Sequence, residues 1–243
     1  MNLPDPNSEG TLVILSGAGL SAASGVPTFR DANGLWEGYE VTQVATPEAW
    51  HLDPTLVRRF YDERRLSCGS VEPNPGHIAL CKLQQEWGSQ RVILVTQNID
   101  GLLTLAGAES VIEMHGSLFR LRCEASANHP TPTLRTQQNP EATCDLCGRP
   151  LRPDVVWFGE MPYFMDDIYT ALSRCTTFVS VGTSGLVYPA AGFSAEARSR
   201  GAVCIEVNPQ PAGGPYHHVV AEGSETALPR IVDQWLRGAG TSG

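Results

Sequence analysis

His115 stands in Glu113-Met114-His115-Gly116, at the end of a short apolar run and beside a glycine. An imidazole titrates near neutrality, which suits it to general-base work at the mouth of a crevice. Lone histidines are more often structural. This one follows, in chain order, a second polar cluster: Thr96-Gln97-Asn98-Ile99-Asp100, directly after the apolar run VILVT. Side chains at the carboxyl end of a parallel strand face the crevice where open α/β sheets bind ligands. Gln97, Asn98 and Asp100 carry groups that bond ribose hydroxyls, a carboxamide or a water. Asn98 or Asp100 also suits a helix cap, but three polar side chains around one isoleucine exceed what a cap needs.

The counterpart of that cluster is TLVILSGAGLSAASGVPTFRDANGLW, residues 11–36. It reads as a buried strand over Thr11–Leu15, a glycine turn at Gly17-Ala18-Gly19, a short helix over Leu20–Ser24 and a loop. Close glycines where a strand meets a helix let backbone amides and the helix dipole approach a phosphate. The G-x-G-x-x-A spacing (Gly17, Gly19, Ala22) is weak by itself, because many such junctions hold glycines for packing. A hydride-transferring dehydrogenase also wants an acidic ribose ligand closing the next strand. Glu37 and Glu40 fall instead in a Trp/Gly/Tyr loop, which demotes that reading. Phe29-Arg30-Asp31, after a rigid Val-Pro, reads equally as a flap over a flat ring and a phosphate or as a surface loop with an ion pair. Gly182-Thr183-Ser184 after FVSV and Asn208-Pro209 after VCIEV repeat the polar strand end and suit ribose and adenine. Helix capping is the plainer use of Thr183 and Ser184.

The elements that must hold these residues are short β-branched runs: Val92–Thr96, Val111–Glu113, Phe178–Val181 and Val203–Val207. Such runs belong to strands buried on both faces of a parallel sheet. Helical patterns lie between them, over 54–66, 76–87, 166–174, 189–200 and 229–237. The alternation predicts an α/β, Rossmann-like doubly wound fold with a parallel sheet. Residues 34–75, helical and proline-punctuated, and 122–153, polar, strand-poor and cysteine-bearing, break the rhythm. They are assigned to a smaller insertion domain, a helical module plus a zinc-ribbon-like module. The larger, nucleotide-binding type of domain then takes 1–33, 76–121 and 154–243.

At 243 residues, with 42% hydrophobic and 18% charged residues, the composition is that of an ordinary globular protein. No apolar run reaches membrane length, and MNLPDPNSEG has neither a basic region nor an apolar core, so a cytoplasmic address is expected. A net charge of −9 opposes contact with nucleic acid or anionic lipid and is compatible with basic polypeptide substrates. Among the cysteines, Cys81, Cys175 and Cys204 sit in apolar surroundings as inert thiols. Cys144-x-x-Cys147 with Cys123 looks like part of a structural zinc site. Ser126 occupies the position of the partner of Cys123. His129 or Asp145 is available to complete the shell, though neither has the expected spacing, and loss of the metal is the alternative. Tyr61 and Arg64, at i and i+3 on a helix, form a phenol–guanidinium pair that suits a carboxylate. On these residues alone a solvated face, with Arg58, Asp62, Glu63 and Arg65 in ordinary ion pairs, is the simpler reading.

Taken together, GAGLSAASGVPTFRD (17–31), TQNID (96–100), MHG (114–116), VVWFGE (155–160), VGTSG (181–185) and EVNP (206–209) resemble the sirtuin family of NAD-dependent protein-lysine deacylases, in family order and over most of the chain. The resemblance implies NAD and an acyl-lysine peptide in a cleft between two domains, with zinc in the smaller one. It implies that the acyl oxygen displaces nicotinamide at C1′ of the ribose, that the products are nicotinamide, O-acyl-ADP-ribose and free lysine, and that His115 is the general base. Asn98 and Gln97 hold the ribose or a water, Asp100 orients the carboxamide, and Phe29 shields the reactive centre. Gly17, Ala18, Gly19, Arg30, Trp36, Ile99, Gly182, Thr183, Ser184, Asn208, Pro209, Gln210 and Ser224 complete the cofactor site. A Val155–Phe158 strand, with Val156, Trp157, Phe158, Gly159 and Glu160 on the substrate side, pairs with the peptide backbone. Cys123, Cys144 and Cys147 are the zinc ligands, one short of the family's four.

Within the family, Tyr61-x-x-Arg64 and Trp157-Phe158-Gly159-Glu160 look like the class that removes succinyl and malonyl groups. That resemblance turns the Tyr61–Arg64 pair into a carboxylate receptor, beside activity on acetyl groups. The alternatives are an NAD-dependent protein mono-ADP-ribosyltransferase in the same cleft and a non-catalytic NAD or ADP-ribose sensor. A zinc-ribbon nucleic-acid binder is least favoured by the charge.

Overall fold

The structure, a computed structural model, describes residues 3–6, 10–27, 36 and 38–239. The strands are β1 (Thr11–Ser16), β2 (Val92–Thr96), β3 (Val111–Glu113), β4 (Gly116–Cys123), β5 (Leu151–Val155), β6 (Cys175–Val181), β7 (Val203–Val207) and β8 (His218–Val220). The α-helices are α1 (Val41–Val44), α2 (Pro47–Leu52), α3 (Pro54–Cys68), α4 (Pro75–Trp87), α5 (Leu102–Leu105), α6 (Met165–Ser173), α7 (Phe193–Ser199) and α8 (Ser224–Ala239).

Six strands form one sheet in the order β3-β2-β1-β6-β7-β8, parallel at every pairing. Leu12 and Ile14 of β1 join Leu94, Val179 and Ile205 on one face, under α4 and α8. Val13 and Leu15 join Val95, Phe178 and Cys204 on the other, under α6 and α7. Alternate residues of one strand thus enter opposite apolar cores, which is why these strands read as unbroken β-branched runs. The chain order reverses between β1 and β6, and that switch point opens a crevice at the carboxyl ends of the strands.

The doubly wound expectation holds, with local corrections. The stretch after Gly17 is not a short helix over Leu20–Ser24. It is two three-residue 3-10 turns, Ala18–Leu20 and Ala22–Ser24, ended by Gly25 in the left-handed region. Residues 122–153 are strand-poor, as expected; the end of β4 and the start of β5 enter the segment and pair antiparallel, Arg122 opposite Arg152. The strand expected over Val155–Phe158 ends at Val155. Helix α8 begins at Ser224, not at Pro229; it encloses the proline because Ala227, Leu228, Ile231, Val232 and Trp235 bury one continuous face against the sheet. Two further apolar clusters lie outside the sheet. One joins α1, α2 and α3 to Leu118, Val155 and Trp157, and the other joins Leu121 and Leu151 to Cys123 and Cys144.

Candidate functional site

Five strands end on one cavity of about 1120 Å³. Gly17 and Gly19 reach it from β1, Gln97 to Asp100 from β2, His115 from β3, Gly182 to Ser184 from β6, and Asn208 to Gln210 from β7. Tyr61, Arg64 and Trp36 line the same cavity from the helical side, and Val156 to Glu160 line it beyond β5. Phe29 and Arg30 lie outside the described residues. Ser224 is buried behind the turn, with its hydroxyl donating to the carbonyls of Gly19 and Leu20; its neighbours Gly223 and Glu225 face the cavity instead.

The glycines have a different reason from the one their spacing implied. The Gly17 amide donates to the Val181 carbonyl and the Gly19 amide to the Gly182 carbonyl, so neither is turned toward an anion. A Cβ on Gly19 would lie 2.7 Å from the Gly182 Cα, and one on Gly182, whose φ is +58°, would lie 2.5 Å from the Gly19 backbone. The turns after β1 and β6 therefore cross in direct backbone contact, which no larger residue permits. The segment that follows the glycine turn is a pair of three-residue 3-10 turns and not the helix whose dipole the spacing implied.

The imidazole of His115 is fixed through Nδ1, 3.0 Å from the Gln97 carbonyl. A carbonyl accepts, so Nδ1 carries the proton and Nε2 keeps a lone pair for the cavity. Burial pushes the His115 pKa below its ordinary value, against the Gln97 bond, so the ring is neutral and basic at neutral pH. Asn98 donates its amide hydrogens to the Gly17 carbonyl (3.0 Å) and to Ser21 Oγ (3.1 Å), which leaves its amide oxygen as an acceptor at the cavity. Asp100 caps α5 through the Leu102 amide (2.9 Å) and also accepts from the Ser21 hydroxyl at 2.7 Å. Burial raises its pKa, and those two bonds act against the rise.

Sequence reasoning missed two members of this network. The buried Ser21 links Asn98 and Asp100 to His77 Nε2 at 3.3 Å. His77 Nδ1 accepts from the Asn74 amide, so Nε2 is the protonated nitrogen and donates to Ser21. Burial lowers the His77 pKa to about 4. The signal was present: Asn74-Pro75-Gly76-His77 closes a capping box on α4, which aims this histidine back at the helix start.

Beyond β5 the amides of Val156, Trp157 and Phe158 are all engaged, with the His115 carbonyl (2.9 Å), the Glu160 carboxylate (2.9 Å) and the Ala45 carbonyl (3.0 Å). The amides of this segment are thus engaged within the protein, β5 ends at Val155, and the residues beyond it line the cavity. Tyr61 is fully buried, and its phenol oxygen accepts the indole N–H of Trp157 at 3.0 Å. Burial keeps that phenol protonated. The Arg64 guanidinium folds over the Phe60 ring and donates to the Phe60 carbonyl at 2.6 Å.

Outside the cleft, Cys123, His129, Cys144 and Cys147 gather with their ligand atoms within 4.8 Å of one another. His129 Nδ1 lies 3.3 Å from the Cys144 sulfur and 3.5 Å from that of Cys147. Three thiolates and one imidazole are a complete tetrahedral zinc set, and these separations match ligands about 2.0–2.3 Å from a shared ion. His129 thus fills the place left by Ser126, and Asp145 does not. The remaining cysteines are buried thiols; burial lifts Cys81 to about 11 and Cys175 to about 12.

This arrangement has known counterparts. A family model described as "Sir2 family" matches residues 17–189, and the chain belongs to that family. It is 45% identical over 242 residues to the NAD-dependent protein deacylase of Escherichia coli (strain K12), covering 97% of this chain and 86% of the other. The NAD-dependent protein deacylase of Shewanella oneidensis is 46% identical over 234 residues, covering 93% and 95%. Among solved structures, a Sir2 homologue S24A mutant–ADP ribose complex superposes with a TM-score of 0.88 at 33% identity, covering 97% and 96%. A Sir2 homolog–NAD complex gives 0.85 at 34% identity, covering 95% and 91%.

Proposed function

We propose that the chain removes acyl groups from protein lysines with NAD as co-substrate, giving nicotinamide and O-acyl-ADP-ribose, and that acidic acyl groups such as succinyl and malonyl are taken together with acetyl. The carrying observation is His115, held by Gln97 with its free nitrogen toward a cavity whose other walls are the Asn98–Asp100 network and the Tyr61–Arg64 pair. When bound, NAD supplies the electrophilic ribose carbon and the leaving nicotinamide. His115 Nε2 then takes a ribose hydroxyl proton. The Asn98 amide oxygen orients the ribose or a water, and Asp100, braced by Ser21, holds the carboxamide side. Thr183, Ser184 and Asn208 receive the adenosine end. A sensor has no use for a base so prepared, which disfavours the non-catalytic alternative.

Tyr61 and Arg64 are assigned to the acyl carboxylate because both line the cavity that contains His115. The protein is placed in the cytoplasm, where free thiols persist; among the described residues no helix is long and apolar enough to cross a membrane. The 34–75 and 122–153 segments are proposed as the smaller domain that closes over the peptide.

The test is a panel of acetyl-, malonyl- and succinyl-lysine peptides with and without NAD, on the native chain and on Tyr61→Phe and Arg64→Met. Loss of a hydrogen bond to a charged group should cost desuccinylation roughly tenfold to a hundredfold, and deacetylation much less. Equal losses on both substrates would sink the carboxylate assignment. Mass gain by ADP-ribose on a protein target, in place of loss of acyl, would replace the deacylase reading with the transferase.

A further inference from the structure

Tyr61 and Trp157 lie 96 residues apart in sequence and meet by one hydrogen bond, indole Nε1 to phenol oxygen. The bond is directional. An indole N–H only donates, so the phenol oxygen is the acceptor. A phenolic hydrogen stays near the plane of its ring, so a donor on one side of the oxygen leaves the other side for the hydrogen. Among the described residues nothing accepts that hydrogen, although Tyr61 is fully buried. A buried donor without a partner is costly unless something arriving in the cavity takes it.

The indole itself cannot turn away. The Arg152 guanidinium lies 3.3 Å from the centre of the Trp157 ring and grips both Glu160 carboxylate oxygens at 2.8 Å. The Glu160 carboxylate in turn holds the Trp157 amide at 2.9 Å. Trp50 packs against the indole, with ring centroids 5.8 Å apart.

We propose that Trp157 is the positioning residue of the acyl-group receptor: its indole N–H holds the Tyr61 phenol as an acceptor, which commits the phenol's own proton to an anionic acyl group in the cavity. This rests on the carboxylate-receptor reading of Tyr61 and Arg64 and adds the residue that orients it. Trp157 acts through Tyr61 and does not itself touch the carboxylate. The preference for acidic acyl chains is then a property of a three-part array, guanidinium, phenol and indole, and not of the Tyr-x-x-Arg pair alone.

The test is a double-mutant cycle on Tyr61→Phe and Trp157→Phe. It reads the ratio of kcat/KM for succinyl-lysine to that for acetyl-lysine peptide, because activity on both substrates falls when a residue of the peptide wall changes. Trp157→Phe should lower that ratio about tenfold, mainly through KM for the succinyl peptide. In the Tyr61→Phe background the same change should alter it less than about twofold, since the group it orients is gone. A ratio unchanged by Trp157→Phe, or lowered as much without the phenol as with it, overturns the proposal and leaves the receptor reading intact. A ratio unchanged by Tyr61→Phe overturns the receptor reading itself, and this proposal with it. Because Trp157→Phe also removes volume, 3-benzothienylalanine at position 157 serves as the second variant. It keeps the shape of the bicycle and lacks only the N–H, and the proposal requires the same drop in ratio from it.

Discussion

The two walls of the cleft are built on different principles. The wall at the strand ends takes its polar groups from consecutive residues, Gln97 to Asp100 or Gly182 to Ser184, and sets them by backbone bonds at the sheet's switch point. The opposite wall assembles Tyr61, Trp157, Arg152 and Glu160 from α3 and from β5 and its extension, held by rings and ion pairs. The first wall is local in sequence and stiff by topology. The second is stiff only when all its parts are present. A change on the strand-end side should therefore remove one function cleanly, whereas a change on the other side should spread.

The sharpest case is His115→Ala. It should remove about 10²–10⁴-fold of turnover while the thermal midpoint stays close to that of the native chain, because the ring is held by one carbonyl. Near-normal turnover with NAD would mean that the base has been misassigned. Next comes the metal knuckle. The native chain should carry one zinc by elemental analysis, and His129→Ala should lose most of it and lower the midpoint, with ADP-ribose affinity nearly unchanged. Retention of full zinc would place the fourth ligand elsewhere.

Gly182→Ala is the exception on the strand-end wall, because it alters a backbone contact and not a polar side chain. Its Cβ meets Gly19 backbone that has nowhere to go, so it should destabilise the fold by about 3 kcal/mol and weaken cofactor binding together. A stable variant with intact binding would mean that the two crossing turns can move apart, against the contact seen between Gly19 and Gly182.

The last effect is electrostatic and is confined to acid pH. The folded pKa of His77, about 4, lies below the unfolded value near 6.5, so the unfolded chain binds more protons in that window. Stability should fall by about 3 kcal/mol as pH drops from about 6.5 to 4, and denaturant titrations of His77→Gln should lack that slope.

Strand positions and the strand-end residues were legible because each depends on a few neighbours: an apolar run, then a polar turn. The role of the glycines was not, since the atoms that exclude a Cβ at Gly19 belong to Gly182, far away in the chain. His129 was visible only as a possibility, because the spacing in a ribbon does not fix which loop residue returns to the cysteines. A strand over Val155–Phe158 was implied by the family resemblance. It ends early because Glu160 folds back to take the Trp157 amide that a ladder would need.

The crossing of the turns after β1 and β6 has a consequence for protein engineering. Each turn is the mould for the other, so the glycine-rich segment is only half of a transferable unit. Replacing it alone, to retarget the crevice to another nucleotide, leaves the graft against a surface shaped for its predecessor. The portable piece is the pair, and libraries that vary residues 17–19 and 182–184 together should hold folded members that neither segment yields when varied alone.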